Sequence, residues 1–189
     1  GHNWSDDFAL YISQCKALLH GNIHELYDSN RFAMDNSYAH TGPYLYPLGF
    51  PLLLLPVYCV FGLNLYIMKV YCLLFFVASL PLIYLIFKKL KPGTNIPLII
   101  TLLIGFNYHF IRFSDNVLSD LPFFFFSLLS IYSIQKQQRT TVLKSFALGG
   151  LLFFTYCIRD IGILLLPCLL FFHISLLRNK KLISFRNCL

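Results

Sequence analysis

Two adjacent carboxylates, Asp6 and Asp7, open the stretch NWSDDFALYISQCKALLHGN. At the start of an amphipathic helix such a pair gains from the helix dipole and stays ionised. An ionised carboxylate just outside a bilayer can act as a general base or hold a divalent metal. The same pair would equally suit a helix start that only faces water. A second set follows: Arg112 and Asp115 in IRFSD, Asp120 in NVLSDLPFFFF, and Arg159 with Asp160 in CIRDIG. Arginine presents a planar fork suited to phosphate, and ionisable groups in or beside membrane segments are functional candidates by default. Arg112–Asp115 and Arg159–Asp160 also read as plain interfacial ion pairs.

His20 and His24 are four apart, as metal ligands on a helix would be, but Gly21 and Asn22 between them predict loop histidines. His40 and His109 are candidates to face the same cavity as the carboxylates. Tyr44 and Tyr46 suit an interfacial aromatic belt. The six cysteines are scattered singly, without a CxxC pair, and read as small buried hydrophobes. No metal site is assigned; a divalent ion is compatible with the carboxylates but required by nothing in the sequence.

The elements that position these groups are apolar. Of 189 residues 57% are hydrophobic and 12% charged, against about 25% charged in a soluble domain. Long apolar blocks imply membrane helices. The fold class expected is all-α: a polytopic transmembrane bundle with a helical first extracytoplasmic loop. Residues 1–45 form that loop, with Phe8, Tyr11, Ile12, Cys15, Leu18 and Leu19 at helical spacing, Asn3 or Ser5 as N-cap and Gly21 as the stop. Residues 46–62, broken by Pro47, Pro51 and Pro56, read as an interfacial or re-entrant helix. Residues 63–177 supply about five spans. Among them 63–87, 96–111 and 117–134 are single helices, and 145–177 divides in two near Arg159, because charges at the bilayer centre are costly. Residues 178–189 form a cytoplasmic tail.

Charge supports this layout. Ten of the fifteen basic residues fall on one side, which the positive-inside rule assigns to the cytoplasm, and all eight acids fall on the other. The net charge of +7 lies in short clusters between apolar runs, so nucleic acid is not an expected partner. Within NVLSDLPFFFF, the phenylalanines are expected to anchor the helix in lipid, Asp115 to serve the site and Asp120 to hold helices together. The chain begins at Gly1 without a methionine and reads as a fragment lacking an N-terminal membrane helix.

In order, NWSDDFALYISQCKALLHG, YLYPLGFPLLLLPVYCVFGLNLYIMK, NVLSDLPFFFF and CIRDIGILLLP resemble the membrane-integral C-type glycosyltransferases. The nearest likeness is to the dolichyl-phosphate-mannose protein mannosyltransferase superfamily, with the aminoarabinose transferases and the RgtA/B/C/D-like lipopolysaccharide transferases. The resemblance covers nearly all of this chain and the N-terminal third to half of a usual member. It implies a catalytic aspartate in the first extracytoplasmic loop, which falls on Asp7, with Asp6 as the alternative. The spacing from Asp7 to Tyr11 is similar to the family's. Asp115 takes the place of a second acid, where Glu is common, and Asp120 follows it. Arg159 takes the place of the arginine near the next extracytoplasmic turn, and Arg159 or Arg112 would meet the donor phosphate. The implied reaction moves a sugar, with inversion, from a polyprenyl-phosphate carrier to an extracytoplasmic acceptor: a lipid, polysaccharide or protein. The implied setting is a bacterial inner membrane. The alternatives are a non-enzymatic polytopic protein, such as a transporter or flippase subunit, and an inactive remnant. A transporter would be expected to show internal repeats and charges at the midplane, and neither is evident.

Overall fold

A computed structural model describes residues 7–37, 43–113, 115–136, 141–171 and 174. All regular structure among them is helical. Helix α1 (Phe8–His20) buries Phe8, Tyr11, Ile12 and Cys15, the spacing seen in the sequence, and ends on Gly21 in the left-handed region at φ 72°. Asp7 occupies its N-cap position; Asn3, Ser5 and Asp6 lie outside the described residues. Helix α2 (Ile23–Asp35) was not foreseen; it buries no residue fully, and its stripe of Ile23, Leu26, Tyr27 and Met34 is only half-buried. Helix α3 (Gly49–Phe61) has 13 residues, about 20 Å at 1.5 Å per residue. That is well short of the roughly 30 Å hydrocarbon core. Pro51 sits in its first turn, where a missing N–H costs nothing, whereas Pro56 interrupts its interior.

Helix α4 (Leu65–Leu90) is the one helix among the described residues long and apolar enough to cross a membrane. The expected single helix over 96–111 is instead two, α5 (Ile96–Gly105) and α6 (Tyr108–Phe113). They part at Asn107, whose Oδ1 accepts the His109 N–H at 2.9 Å and so caps α6. Helix α7 (Asp120–Lys136) runs parallel to α4, and α8 (Val142–Ile158) returns antiparallel to α7. Lys69 pairs with Asp115 at one end of α4, while Lys89 donates to the Gln135 carbonyl at the other. Basic residues of the second end also cover rings, Lys88 over Tyr84 and Lys136 over Tyr132. The apolar run 145–177 does break where its charges sit. Helix α8 stops at Ile158, Arg159 is extended, and a 3-10 turn follows over Asp160–Leu164.

Phe123 to Phe126 are not free lipid anchors. They are half-buried, and their rings meet other helices. Phe126 lies 5.1 Å from Phe154 of α8 and 5.9 Å from Phe75 of α4, and Phe124 lies 4.9 Å from Phe110 of α6. Separations of 4.5–7 Å suit offset or edge contacts, so the wall of phenylalanines is the mortar of the bundle. Three hydroxyls inside it are satisfied within their own helices, Ser79, Ser130 and Thr155 each donating to a carbonyl four residues back at 2.8 Å, whereas the buried Ser127 Oγ has no partner among the described residues. Outward faces of α4, α5 and α8 remain apolar, with Leu74, Leu103 and Phe146 each more than half exposed.

Two packed clusters mark the bundle's ends. One, around Ile134, Leu148, Leu152 and Leu165, lies toward the basic end. The larger joins Phe8, Tyr11 and Cys15 of α1 to Phe50 and Leu54 of α3, Met68 and Cys72 of α4, Val117 and Ile158. It forms the floor beneath the acidic end.

Candidate functional site

A cavity of about 470 Å³ opens at that end, and Asp7, Asp120, Arg112, Arg159, His109 and Asn116 line it. Four different elements deliver the charged groups. Asp7 precedes α1, Arg112 closes α6, Asp120 opens α7, and Arg159 follows α8. Each sits at a helix end, because only there can an ionised group leave the apolar packing.

The local chain explains each position. The Asp7 side chain makes no capping bond; its carbonyl receives the Leu10 and Tyr11 N–H groups at 3.1 and 3.2 Å. Its carboxylate lies near enough to the Tyr46 hydroxyl for the charge to act on it. At the head of α7, the Ser119 carbonyl takes the Phe123 N–H at 2.8 Å, and the Ser119 Oγ pairs with the Tyr11 hydroxyl at 3.0 Å. Asp120 then stands in the first turn, where the helix dipole favours its charge, and Pro122 falls where its missing donor is not needed. Arg159 pairs through Nη1 with Asp120 Oδ1, tying the end of α8 to the start of α7, with both side chains about 40% exposed or a little less.

Two glycines hold α8's end in place. A Cβ on Gly49 would stand 2.5 Å from the Cys157 carbonyl carbon, so only glycine lets α3 touch the backbone just before Arg159. A Cβ on Gly162 would meet the Thr155 oxygen at 2.9 Å, so the 3-10 turn folds tightly back on α8.

The site perturbs its tyrosines. Burial raises the Tyr11 hydroxyl above its ordinary value of 10; its bond to Ser119 and the Arg159 charge oppose this, and Asp7 and Asp120 add to it. Tyr46 is raised further, first by burial, then by the nearby Asp7 carboxylate. Tyr46 therefore remains a protonated donor throughout the physiological range.

Of the residues singled out from sequence, Asp7, Arg112, Asp120 and Arg159 share the cavity, and His109 joins them. Asp115 does not line it: its carboxylate pairs with Lys69 at 2.8 Å and is 83% exposed. Asp120 takes the position that sequence reasoning gave to Asp115, because α7 begins there. Asp6 and His40 lie outside the described residues, and His20 and His24 are exposed near the break between α1 and α2. No cluster of three or more metal-ligating side chains occurs among the described residues. Tyr46 and Gln14 were missed as site residues. The only sequence signal for Gln14 was a polar residue three after Tyr11 on the apolar face of α1.

Residues 23–158 match the family model for dolichyl-phosphate-mannose-protein mannosyltransferase. That stretch runs from the start of α2 to the end of α8 and includes Arg112, Asp115 and Asp120; Arg159 lies one residue beyond its end, while Asp7 and the whole of α1 lie before its start. No curated protein and no solved structure matches the chain. A match over most of the chain, on an all-helical fold that gathers its charges at helix ends, means that it belongs to the dolichyl-phosphate-mannose-protein mannosyltransferase family, a family of membrane glycosyltransferases.

Proposed function

We propose that this chain forms the catalytic end of a polytopic membrane glycosyltransferase taking its sugar from a polyprenyl phosphate. The observation that carries the reading is a cavity in which two carboxylates and two guanidinium groups face one another at the rim of an apolar bundle. A lipid-linked donor needs that arrangement: its tail stays among apolar helix faces while its phosphate meets cations at the edge. The 17-residue α8, about 26 Å long, is near the shortest length that spans a bilayer. With α4 and the equally long α7, which runs between the same two ends, it would give the bundle its crossings, while α3 lies at the interface.

In this mechanism Asp7 removes the proton from an acceptor hydroxyl as that oxygen attacks the anomeric carbon. The bond from that carbon to the phosphate oxygen breaks on the opposite face, so the configuration inverts. The electron pair leaves with the polyprenyl phosphate, and a guanidinium offsets its charge. Asp120 already engages Arg159, so Arg112 is the cation for the phosphate, and Arg159 keeps the rim in register. The active face is extracytoplasmic, opposite the Lys88/Lys89/Lys136 end. The acceptor is a lipid, polysaccharide or protein.

The test is an Asp7→Asn variant of the full-length protein, assayed for transfer from a polyprenyl-phosphate sugar. Loss of turnover with donor binding retained is expected; unchanged turnover would remove Asp7 from the role of base.

A further inference from the structure

A lysine near the start of an apolar helix needs a reason, and Lys69 stands in the second turn of α4. It is the only charged residue of that helix before Lys88. A positive charge near a helix N-terminus opposes the helix dipole. In a helix long and apolar enough to cross a membrane it is costlier still. The Lys69 side chain is only 21% exposed, and its Nζ donates to Asp115 Oδ1 at 2.8 Å. Asp115 belongs to the segment that supplies four cavity-lining residues, His109, Arg112, Phe113 and Asn116.

Helix α6 is six residues long and buries none of them, so packing alone fixes it weakly. Two contacts tie this segment to α4. Before Arg112, the Phe110 ring stacks on Phe76 of α4 at 5.1 Å and meets Phe124 of α7 at 4.9 Å. After Arg112 comes the Lys69–Asp115 pair. Phe76 and Lys69 are seven residues apart, about two turns, and so share one face of α4. The Asp115 N–H donates to the Arg112 carbonyl at 3.2 Å, and the Asn116 N–H to the Phe113 carbonyl at 3.2 Å. A tight turn therefore couples the anchored carboxylate to the residue that carries the guanidinium.

We infer that Lys69 is a positioning residue for the donor phosphate: through Asp115 it pins the turn after α6 and so sets where Arg112 stands at the cavity rim. The inference rests on the proposed role of Arg112 as the phosphate cation. Lys69 itself does not line the cavity, so it acts on the donor only through that turn.

Lys69→Met in the full-length protein tests this, because methionine keeps an apolar stem in an apolar helix and removes the charge. Donor KM should rise about two- to fivefold, which is what a pair with one exposed partner supplies. The kcat should stay within about twofold and the melting temperature should be no lower than that of wild type. Asp115→Asn should show the same split. The two substitutions combined should be no worse than either alone, since both remove one contact. In an Arg112→Gln background, Lys69→Met should change donor KM no further. Three results overturn the inference: unchanged donor KM in Lys69→Met, a melting temperature that falls in step with the KM effect, or a double variant whose losses multiply. Arg112 keeps its role in each case if Arg112→Gln raises donor KM. Unchanged donor KM in Arg112→Gln removes the phosphate assignment and this inference with it.

Discussion

Replacing Gly49 by alanine sets two known effects against each other at one atom. In the helix, alanine is favoured over glycine by up to about 1 kcal/mol. At this position, however, the new Cβ would lie 2.5 Å from the Cys157 carbonyl carbon and 2.6 Å from both its oxygen and the Ile158 nitrogen. Carbon–carbon contact is comfortable only from about 3.5 Å, so α3 and α8 must part by about 1 Å. Every atom it meets is backbone, so no side chain can rotate away. Overpacking of this kind costs about 1–3 kcal/mol, which leaves a net loss of up to about 2 kcal/mol after the full helix gain. For a chain of this size that lowers the melting temperature by up to about 8 °C. The displaced backbone leads directly into Arg159, so activity should fall more than stability, by about 10- to 100-fold for an ångström of misplacement. Gly149→Ala is the internal control. Nothing lies within 4 Å of its Cβ, and it sits inside α8, so the same substitution should raise the melting temperature slightly and leave transfer intact. Thermal unfolding in detergent, paired with a sugar-transfer assay, reads both. Equal melting temperatures and equal activities for Gly49→Ala and wild type would refute the tight α3–α8 contact.

Gln14→Met should cost about 1–3 kcal/mol, because the Tyr46 N–H and carbonyl lose their partners in a half-buried setting; a melting curve identical to wild type would contradict this. Arg112→Gln should raise donor KM about tenfold or more with little effect on folding, whereas Arg159→Gln should loosen α7 against α8 and lower kcat; titration with a polyprenyl phosphate separates the two. Stability should fall in alkali: burial pushes the Cys15 thiol from about 9 up to about 11, and Tyr11 and Tyr46 are raised in the same sense. A folded value above the unfolded one gives stability that is complete below pH 9 and is lost as pH climbs through 9 to 11. A melting temperature that stays flat from pH 8 to 11 would rule this out.

What could be read from sequence follows from what a one-dimensional pattern encodes. The α1 face and its Gly21 stop were legible, because burial on one side leaves a 3–4 spacing and a left-handed turn calls for glycine. The break at Arg159 was legible because a charged pair inside an apolar run leaves the chain little choice. Helix α2 was overlooked although Ile23, Leu26, Tyr27 and Met34 keep helical spacing, because the polar residues between them dominate a stripe that is only half-buried. The α5–α6 break was hidden because apolarity continues across it, and Asn107 shows its capping role only once His109 is placed. Hydropathy likewise cannot tell a phenylalanine facing lipid from one facing another helix, which is why Phe123 to Phe126 were misread. The charged members of the cavity stood out, because ionisable groups are rare in such a chain. That Asp120 rather than Asp115 lines the cavity was not legible, because which acid faces inward depends on the turn that starts α7; the helix-holding expected of Asp120 matches its pair with Arg159.

The cavity's charge balance favours a division of labour between its two arginines. The cavity-lining carboxylates and guanidinium groups number two each, so the empty cavity is close to neutral. Asp120 and Arg159 pair directly, and that pair spans the gap between α7 and α8, where it is shielded enough to order both helix ends. Asp7 makes no ion pair among the described residues. Arg112 has no ion-pair partner among the described residues. An arriving phosphate would therefore find one cation able to accept it without breaking an existing pair.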